Sequence, residues 1–262
     1  MAPPHNPFDV SLAYAVVMSL ALALALLPGL GTGLLLVLLA GLRLPLAIGW
    51  PQLAQAHGQI QALGYVLLFI VAVGLQLFPR FLGTPTRHAI WAVWGACSIT
   101  LALLARWAGQ PLAASDARAV LLTFAAIGVP VGAVVGGLSF HGLSRTRALT
   151  AAGPGAWRRF LAIGGLALGS ALVLYVTSSL ELARGGVIVP LGLDEALIHL
   201  ELAGFATCLV FAVASRVFGR FLLLRTSSRF ESLLPMLAGA WLIGLVLVAG
   251  GWLLDTPWAA WP

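Results

Sequence analysis

Charged residues are scarce in this sequence: they make up 8% of its 262 positions, whereas 61% of positions are hydrophobic and the mean hydropathy is +1.03. This composition excludes a soluble domain and indicates a protein that crosses a membrane several times. Lysine is absent, so all 14 cationic residues are arginines. The net charge of +6 does not indicate nucleic-acid binding, because arginines that flank apolar segments set membrane topology and contact lipid headgroups.

Cysteine is equally scarce, and the sequence motifs of several enzyme classes are missing. Cys97 and Cys208 both lie within apolar segments, where we expect small buried side chains rather than a disulfide. The chain has no Cys-x-x-Cys-His sequence for covalent haem, no Cys/His set with zinc spacing, no glycine-rich phosphate loop and no Ser/His/Asp order of catalytic spacing. Catalysis on a soluble substrate therefore has no support in the sequence.

Eight apolar segments are long enough to cross about 30 Å of hydrocarbon as helices. They cover approximately residues 10–27, 30–48, 52–78, 88–107, 117–140, 158–180, 194–223 and 233–254. Only Pro28-Gly29-Leu30-Gly31 separates the first two, which predicts a tight hairpin. The predicted fold class is all-α integral membrane, with about eight transmembrane helices.

Two long stretches of the chain become similar when the sequence is shifted by 140 positions. The shift aligns Gly64 with Gly204, Tyr65 with Phe205, Phe78 with Phe218, and Arg80-Phe81 with Arg220-Phe221. We therefore predict one membrane domain built from two four-helix repeats, residues 1–110 and 111–262. Because four is an even number, the two repeats would be parallel, related by an axis along the membrane normal.

Arginines are concentrated in the connections on one side of the predicted membrane. The positive-inside rule makes that side cytoplasmic and places both termini outside the cytoplasm, as for a protein of a bacterial inner membrane. The arginines of the outer side are Arg43, Arg106, Arg118 and Arg184. Each of these four is a candidate partner for an anionic group near the outer surface, and the sequence does not select among them.

Two histidines begin equivalent segments near the outer side. The shift does not align them, since His57 falls opposite Leu197 and His199 falls opposite Gln59, but they lie within one helical turn of the same depth. On a helix, each histidine is followed on its own face by small residues, Gly64 after His57 and Ala203 after His199. Such faces would suit a flat haem whose iron is bound by imidazole.

Three further polar side chains lie beside these histidines, at depths where polar groups are costly. Gln59 and Gln61 follow His57, and Glu201 follows His199. Each would either orient an imidazole by accepting its second ring proton or bind a metal itself. The alternative interpretation is that these are interfacial residues, hydrated by headgroups and bonded to neighbouring helices.

The segment AHGQIQALGYVLLFIVAVGLQLFPRFLG, residues 56–83, resembles a histidine-containing span that ends in a Pro-Arg-Phe turn. This span occurs in NnrS-type membrane proteins and in stand-alone relatives of the catalytic subunit of haem-copper oxidases. IHLELAGFATCLVFAVASRVFGRF, residues 198–221, is similar to a later helix of NnrS-type proteins. Where those proteins often carry His-x-His-Glu, this chain has His57-Gly58-Gln59-Ile60.

The resemblance implies non-covalent haem b bound by His57 and His199. From their positions beside these histidines, we expect Gln61 and Glu201 in the same cofactor site. Copper stays open as a second cofactor, with Gln59 as a further metal ligand. The implied function is electron transfer or the handling of nitric oxide and nitrosative stress, with a redox partner or respiratory-complex subunits as partners besides membrane lipids. The alternative is a haem-free membrane transporter or an accessory subunit of a respiratory complex.

Overall fold

The computed structural model describes residues 7–43, 49–82, 86, 88–112, 115–140, 156–221 and 228–254. All regular structure in this part of the chain is helical, and no strand occurs in it. Seven of its helices are long and apolar enough to cross a membrane. The chain is therefore an all-α, multi-pass membrane protein.

Helix α1 has three parts: α-helical Pro7–Leu24, a π-helical turn Ala25–Leu30, and α-helical Gly31–Gly41. Helix α2 likewise consists of Trp50–Gln59, a π-helical turn Ile60–Leu67, and Leu68–Leu82. Helices α3, α4 and α5 are Ile90–Gly109, Asp116–Leu138 and Ala156–Ala183. Helix α6 consists of Leu191–His199, a π-helical turn Leu200–Ala206, and Thr207–Phe221, and helix α7 is Ser228–Leu253.

The predicted hairpin at Pro28 is wrong, because the chain stays helical from Pro7 to Gly41. Proline lacks an N–H and its ring crowds the carbonyl four residues earlier, which here belongs to Leu24. A π-helical turn widens the helix at this place and absorbs the distortion without opening the backbone to lipid. Neither Gly29 nor Gly31 adopts the positive φ that tight turns often need.

The chain leaves α1 later, where Arg43 has a φ of 52° and Gly49 a φ of 112°. The other six predicted segments each correspond to one helix of the structure. The prediction that both termini lie outside the cytoplasm depended on eight crossings, and it loses that basis with seven.

Close packing groups the described helices into two units. The first contains α1 to α4 together with the last two turns of α5 and the connection up to Val189. The second contains the earlier part of α5, together with α6 and α7. The predicted boundary between residues 110 and 111 concerns a sequence repeat, which this grouping does not test, and it stays a prediction.

Glycines bring α3 and α4 of the first unit into backbone contact. A Cβ added to Gly132 would lie 2.7 Å from the carbonyl oxygen of Gly95, and one added to Gly95 would lie 2.6 Å from the amide nitrogen of Gly136. Beside them, the Ser98 hydroxyl donates a hydrogen bond of 2.8 Å to the Gly128 carbonyl. Small residues at the contact allow this approach, which is how membrane helices gain packing energy.

The second unit has an apolar core formed where α5, α6 and α7 meet. Phe160 and Phe211 pack edge to face at 5.5 Å between ring centroids, and Phe211 packs in the same way against Trp241 at 5.6 Å. The buried members of this core are Phe160, Ile163, Cys208, Ala212, Ala238 and Leu245. Cys208 fills the role of a small apolar side chain that the sequence indicated.

We expect Gly132→Ala to destabilise the protein by about 1–3 kcal/mol, because the new methyl group must push α3 and α4 apart. Gly137→Ala is the matched control on α4, since a Cβ added there meets nothing within 4 Å. The measurement is the midpoint of thermal unfolding in lipid nanodiscs. Equal midpoints for the two variants would contradict the close contact between α3 and α4.

Candidate functional site

The first turns of α2 carry the polar residues that the sequence singled out. Gly49 supplies a left-handed turn, Pro51 lies in the first turn of the helix, and the π-helical turn begins directly after Gln59. Irregular helical turns of this kind often occur at functional sites, because they change the direction in which nearby side chains point. His57, Gln59 and Gln61 therefore flank or enter a local irregularity of the helix.

His57 packs against α1. A Cβ added to Gly33 would lie 2.9 Å from Cε1 and 3.2 Å from Nε2 of the imidazole, so only glycine leaves room for the ring. Nδ1 is buried and makes no hydrogen bond with any described residue. In this part of the chain, therefore, no partner at Nδ1 fixes the ring proton of His57.

The rest of this face of α2 is also covered by neighbouring helices. Gln61 lies one turn beyond His57 with its amide nitrogen 2.5 Å from where a Cβ of Gly29 would be. A Cβ added to Gly64 would lie 3.0 Å from Leu24 of α1 and 3.2 Å from Leu103 of α3. Gly64 thus serves helix packing, and the expectation that a macrocycle lies against it stays a prediction.

Gln59 is the most completely buried of the three polar side chains, with 1% of its surface exposed. Both its amide oxygen and its amide nitrogen are buried without a hydrogen-bond partner in the described part of the chain. Burying an unpaired amide costs on the order of several kcal/mol in an apolar medium. This makes Gln59 a position where a bound polar molecule would stabilise the protein.

A chain of hydrogen bonds joins α3, α2 and the connection after α5, at the end of the first unit where α2 begins and α3 ends. Arg106 Nε donates to Gln110 Oε1 at 3.1 Å, and Gln110 Nε2 donates to Gln55 Oε1 at 3.1 Å. Gln55 Nε2 in turn donates to the Val189 carbonyl, and the Val189 N–H donates back to Gln55 Oε1, both at 2.9 Å. We call these residues the Gln55 network.

The Gln55 network was not predicted from the sequence, although Arg106 was among the candidate partners for an anionic group. Arg106 is 1% exposed, and Nη1 donates to the hydroxyls of Ser178 and Ser179 at 3.3 and 3.0 Å. One signal was present: Arg106 and Gln110 are spaced four apart on one helix face, where isolated polar groups are costly. Their partners lie 55 to 73 residues away along the chain, a distance that no local pattern spans.

Helix α6 of the second unit carries His199 and Glu201. His199 ends the first α-helical part of α6, and its Nε2 is buried without a hydrogen-bond partner among the described residues. Glu201 lies in the π-helical turn and is 2% exposed. The structure thus places His57, Gln59 and Gln61 together in the first unit, and His199 and Glu201 together in the second.

Gly204 is packed as Gly64 is. A Cβ added to Gly204 would lie 2.6 Å from Cβ of Ala167 on α5 and 3.8 Å from Leu245 on α7. Gly204 therefore serves helix packing as well. Nearby, Trp241 Nε1 donates to the Ala203 carbonyl at 3.1 Å, which uses an acceptor inside the π-helical turn.

The π-helical turns of α2 and α6 begin at the same position of the aligned sequences. Ile60 and Leu200 are their first residues, and these differ by the shift of 140 that aligns Gly64 with Gly204. In this register, Gln59 corresponds to His199, and Gln61 corresponds to Glu201. The equivalent positions therefore carry polar side chains of different chemistry.

Comparison of the chain with protein-family models, with curated protein sequences and with solved structures gives no match. The resemblance to NnrS-type proteins stays a prediction. The described residues contain no group of three or more His, Cys, Asp or Glu side chains arranged to hold a metal ion. Copper and the role of Gln59 as its ligand likewise stay predictions.

We expect Gln55→Ala to loosen the connection after α5, because it removes the partner of both Val189 backbone groups and of Gln110. Leaving such buried groups unpaired costs about 1–3 kcal/mol. Arg184 is exposed in this connection, so limited trypsin digestion should cleave after it faster in the variant. Gln76→Ala is the control, since Gln76 bonds only the exposed Arg80 among the described residues. Equal cleavage rates in both variants would contradict a structural role for the Gln55 network.

Proposed function

We propose that this chain is a membrane protein that binds haem b non-covalently, with His57 and His199 as axial ligands. The observation that carries the proposal is that one ring nitrogen of each histidine, Nδ1 of His57 and Nε2 of His199, is buried without a hydrogen-bond partner among the described residues. Imidazole nitrogens in a protein interior normally have partners. A buried imidazole that is not held by other protein groups is suited to iron, which histidine binds in many haem proteins.

Some features around these histidines favour a bound ligand, and others oppose it. The Gly33 backbone limits the ring orientation of His57, and burial of Nδ1 and of the Gln59 amide leaves polar atoms that a bound group or an associated water would satisfy. On the face of α2 that carries His57, the side chains of Leu24 and Leu103 pack at Gly64, so a bound macrocycle would have to displace them.

When bound, haem would supply electron transfer if both axial positions are histidine, and a binding position for nitric oxide if one is open. The residues of this chain would hold and orient the imidazoles and exclude water. The physiological setting that we propose is a bacterial inner membrane, with a redox partner or respiratory-complex subunits. Concentration of arginines on one side and the resemblance of residues 56–83 to NnrS-type proteins support this setting.

We further propose that the repeat consists of three helices, α1–α3 and α5–α7, with α4 between them. The shared start of the π-helical turns and the similar packing of Gly64 and Gly204 support this division. The second copy begins after four helices, so the two copies would still run in the same sense.

A haem-free transporter or accessory subunit is the second candidate. The Gln55 network and the unpaired amide of Gln59 favour it, because they place polar groups inside helices of the first unit without needing a cofactor. Polar residues inside membrane proteins often mark the path of a substrate or proton.

We expect His57→Ala and His199→Ala to lower the haem content of protein purified after haem-replete expression, because each removes an iron ligand. The measurement is the ultraviolet-visible spectrum, oxidised and then reduced with dithionite. His88→Ala is the matched control, since His88 is exposed just before α3. A colourless wild-type protein would contradict haem binding and leave the second candidate.

We expect Gly33→Ala to alter the ligand field of His57 without removing the ligand. The added methyl group would lie 2.9 Å from Cε1, so the imidazole must turn or shift. The control is Gly31→Ala, whose methyl group lies 3.9 Å from its nearest neighbour. Electron paramagnetic resonance of the oxidised protein should show changed g values for Gly33→Ala only. Identical spectra for both variants would speak against iron binding by His57.

A further inference from the structure

The four arginines of the predicted outer side have different environments. Arg43 and Arg184 are exposed, whereas Arg106 and Arg118 are 1% and 5% exposed. An exposed guanidinium is hydrated, so it has little to gain from binding an anion. The two buried arginines are therefore the ones whose partners matter for stability and binding.

Arg118 has few partners for a buried cation. Its Nη2 donates to the Gly186 carbonyl, while Nε is buried and has no hydrogen-bond partner in the described part of the chain. No carboxylate among the described residues forms an ion pair with it. By comparison, Arg106 already donates three hydrogen bonds, to Gln110, Ser178 and Ser179.

The backbone around Arg118 adds to the positive potential. Arg118 lies in the first turn of α4, and its N–H donates to the N-cap hydroxyl of Ser115 at 3.2 Å. The N-terminus of a helix carries a partial positive charge that attracts anions. Asp116, the acidic residue of this turn, is exposed and makes no ion pair with Arg118.

Arg118 and His57 lie at the same end of the first unit. Arg118 bonds Gly186, and three residues later Val189 bonds Gln55, which is two residues before His57 on α2. An anionic group of a ligand bound near His57 would therefore face the positive N-terminus of α4, where Arg118 lies.

We propose that Arg118 binds an oxyanion, either a propionate carboxylate of haem or the phosphate of an anionic phospholipid. Both offer a singly charged group with oxygens that accept from the planar guanidinium, and such charge-assisted hydrogen bonds are the strong ones. The haem form of this proposal rests on the proposed function, whereas the lipid form is independent of it.

The haem arm of the test compares Arg118→Gln with Arg184→Gln, a control at an exposed arginine of the connection that Arg118 contacts. We expect Arg118→Gln to weaken haem binding about tenfold or more and to lower the midpoint potential, because a positive charge favours ferrous over ferric haem. Haem with esterified propionates separates this effect from misfolding. It should bind wild type and Arg118→Gln equally well.

The lipid arm uses the same proteins without haem, in nanodiscs of phosphatidylcholine alone or with phosphatidylglycerol. If phosphate is the ligand, phosphatidylglycerol raises the unfolding midpoint of wild type and Arg184→Gln but not of Arg118→Gln. If Arg118→Gln does not fold, Arg118→Lys replaces it in both arms. Because lysine keeps the positive charge, this variant should retain part of the haem affinity and part of the stabilisation by phosphatidylglycerol.

The outcomes distinguish this proposal from the proposed function. A colourless wild type with a lipid effect that depends on Arg118 contradicts haem binding and supports an oxyanion site for lipid phosphate. Weaker binding of native but not esterified haem in Arg118→Gln supports the propionate. If the Arg118 variants match Arg184→Gln in both arms, the proposal is overturned.

Discussion

A backbone that crosses hydrocarbon must satisfy its own hydrogen bonds, and this constraint accounts for the least expected features of the structure. Pro28 cannot donate a hydrogen bond, yet α1 does not break at it; a π-helical turn keeps the segment helical. The same kind of turn occurs in α2 and α6, where Trp241 and Thr207 bond carbonyls within or beside the irregular turn of α6. Irregular helix thus replaces loops inside the membrane.

Composition and apolar length were sufficient to predict an all-α membrane protein and to locate six of its seven described helices, since those signals are local and strong. The hairpin prediction at Pro28-Gly29 failed because proline and glycine favour turns where water can bond the free backbone groups. Inside a membrane, the N–H and C=O groups of an open turn would have no water to bond. The neighbours of Gly64 could not be predicted for a related reason. A glycine on a helix face leaves room for any neighbour, and only the fold shows that Leu24 and Leu103 occupy that room.

For the candidate site, too, the sequence predicts which residues matter but not which residues they contact. Polar side chains whose burial costs free energy can be recognised from the sequence, because they are rare in apolar segments. Here they are His57, Gln59, Gln61, His199 and Glu201. Their partners are not recognisable, since Gln55 reaches Gln110 and Val189 across 55 and 134 positions of the chain. Likewise the sequence could not rank four outer arginines, because burial and the number of bonds to each guanidinium are properties of the packed helices.

The glycine contact between α3 and α4 has a consequence for how the protein reaches the bilayer. With Gly95, Gly132 and Gly136 facing each other, either helix alone would expose a strip of backbone to lipid tails, and α3 would carry Arg106 unshielded. The connection between the two helices is short, only residues 110–115. During synthesis, therefore, α3 and α4 should leave the insertion machinery together as a preformed hairpin rather than one after the other.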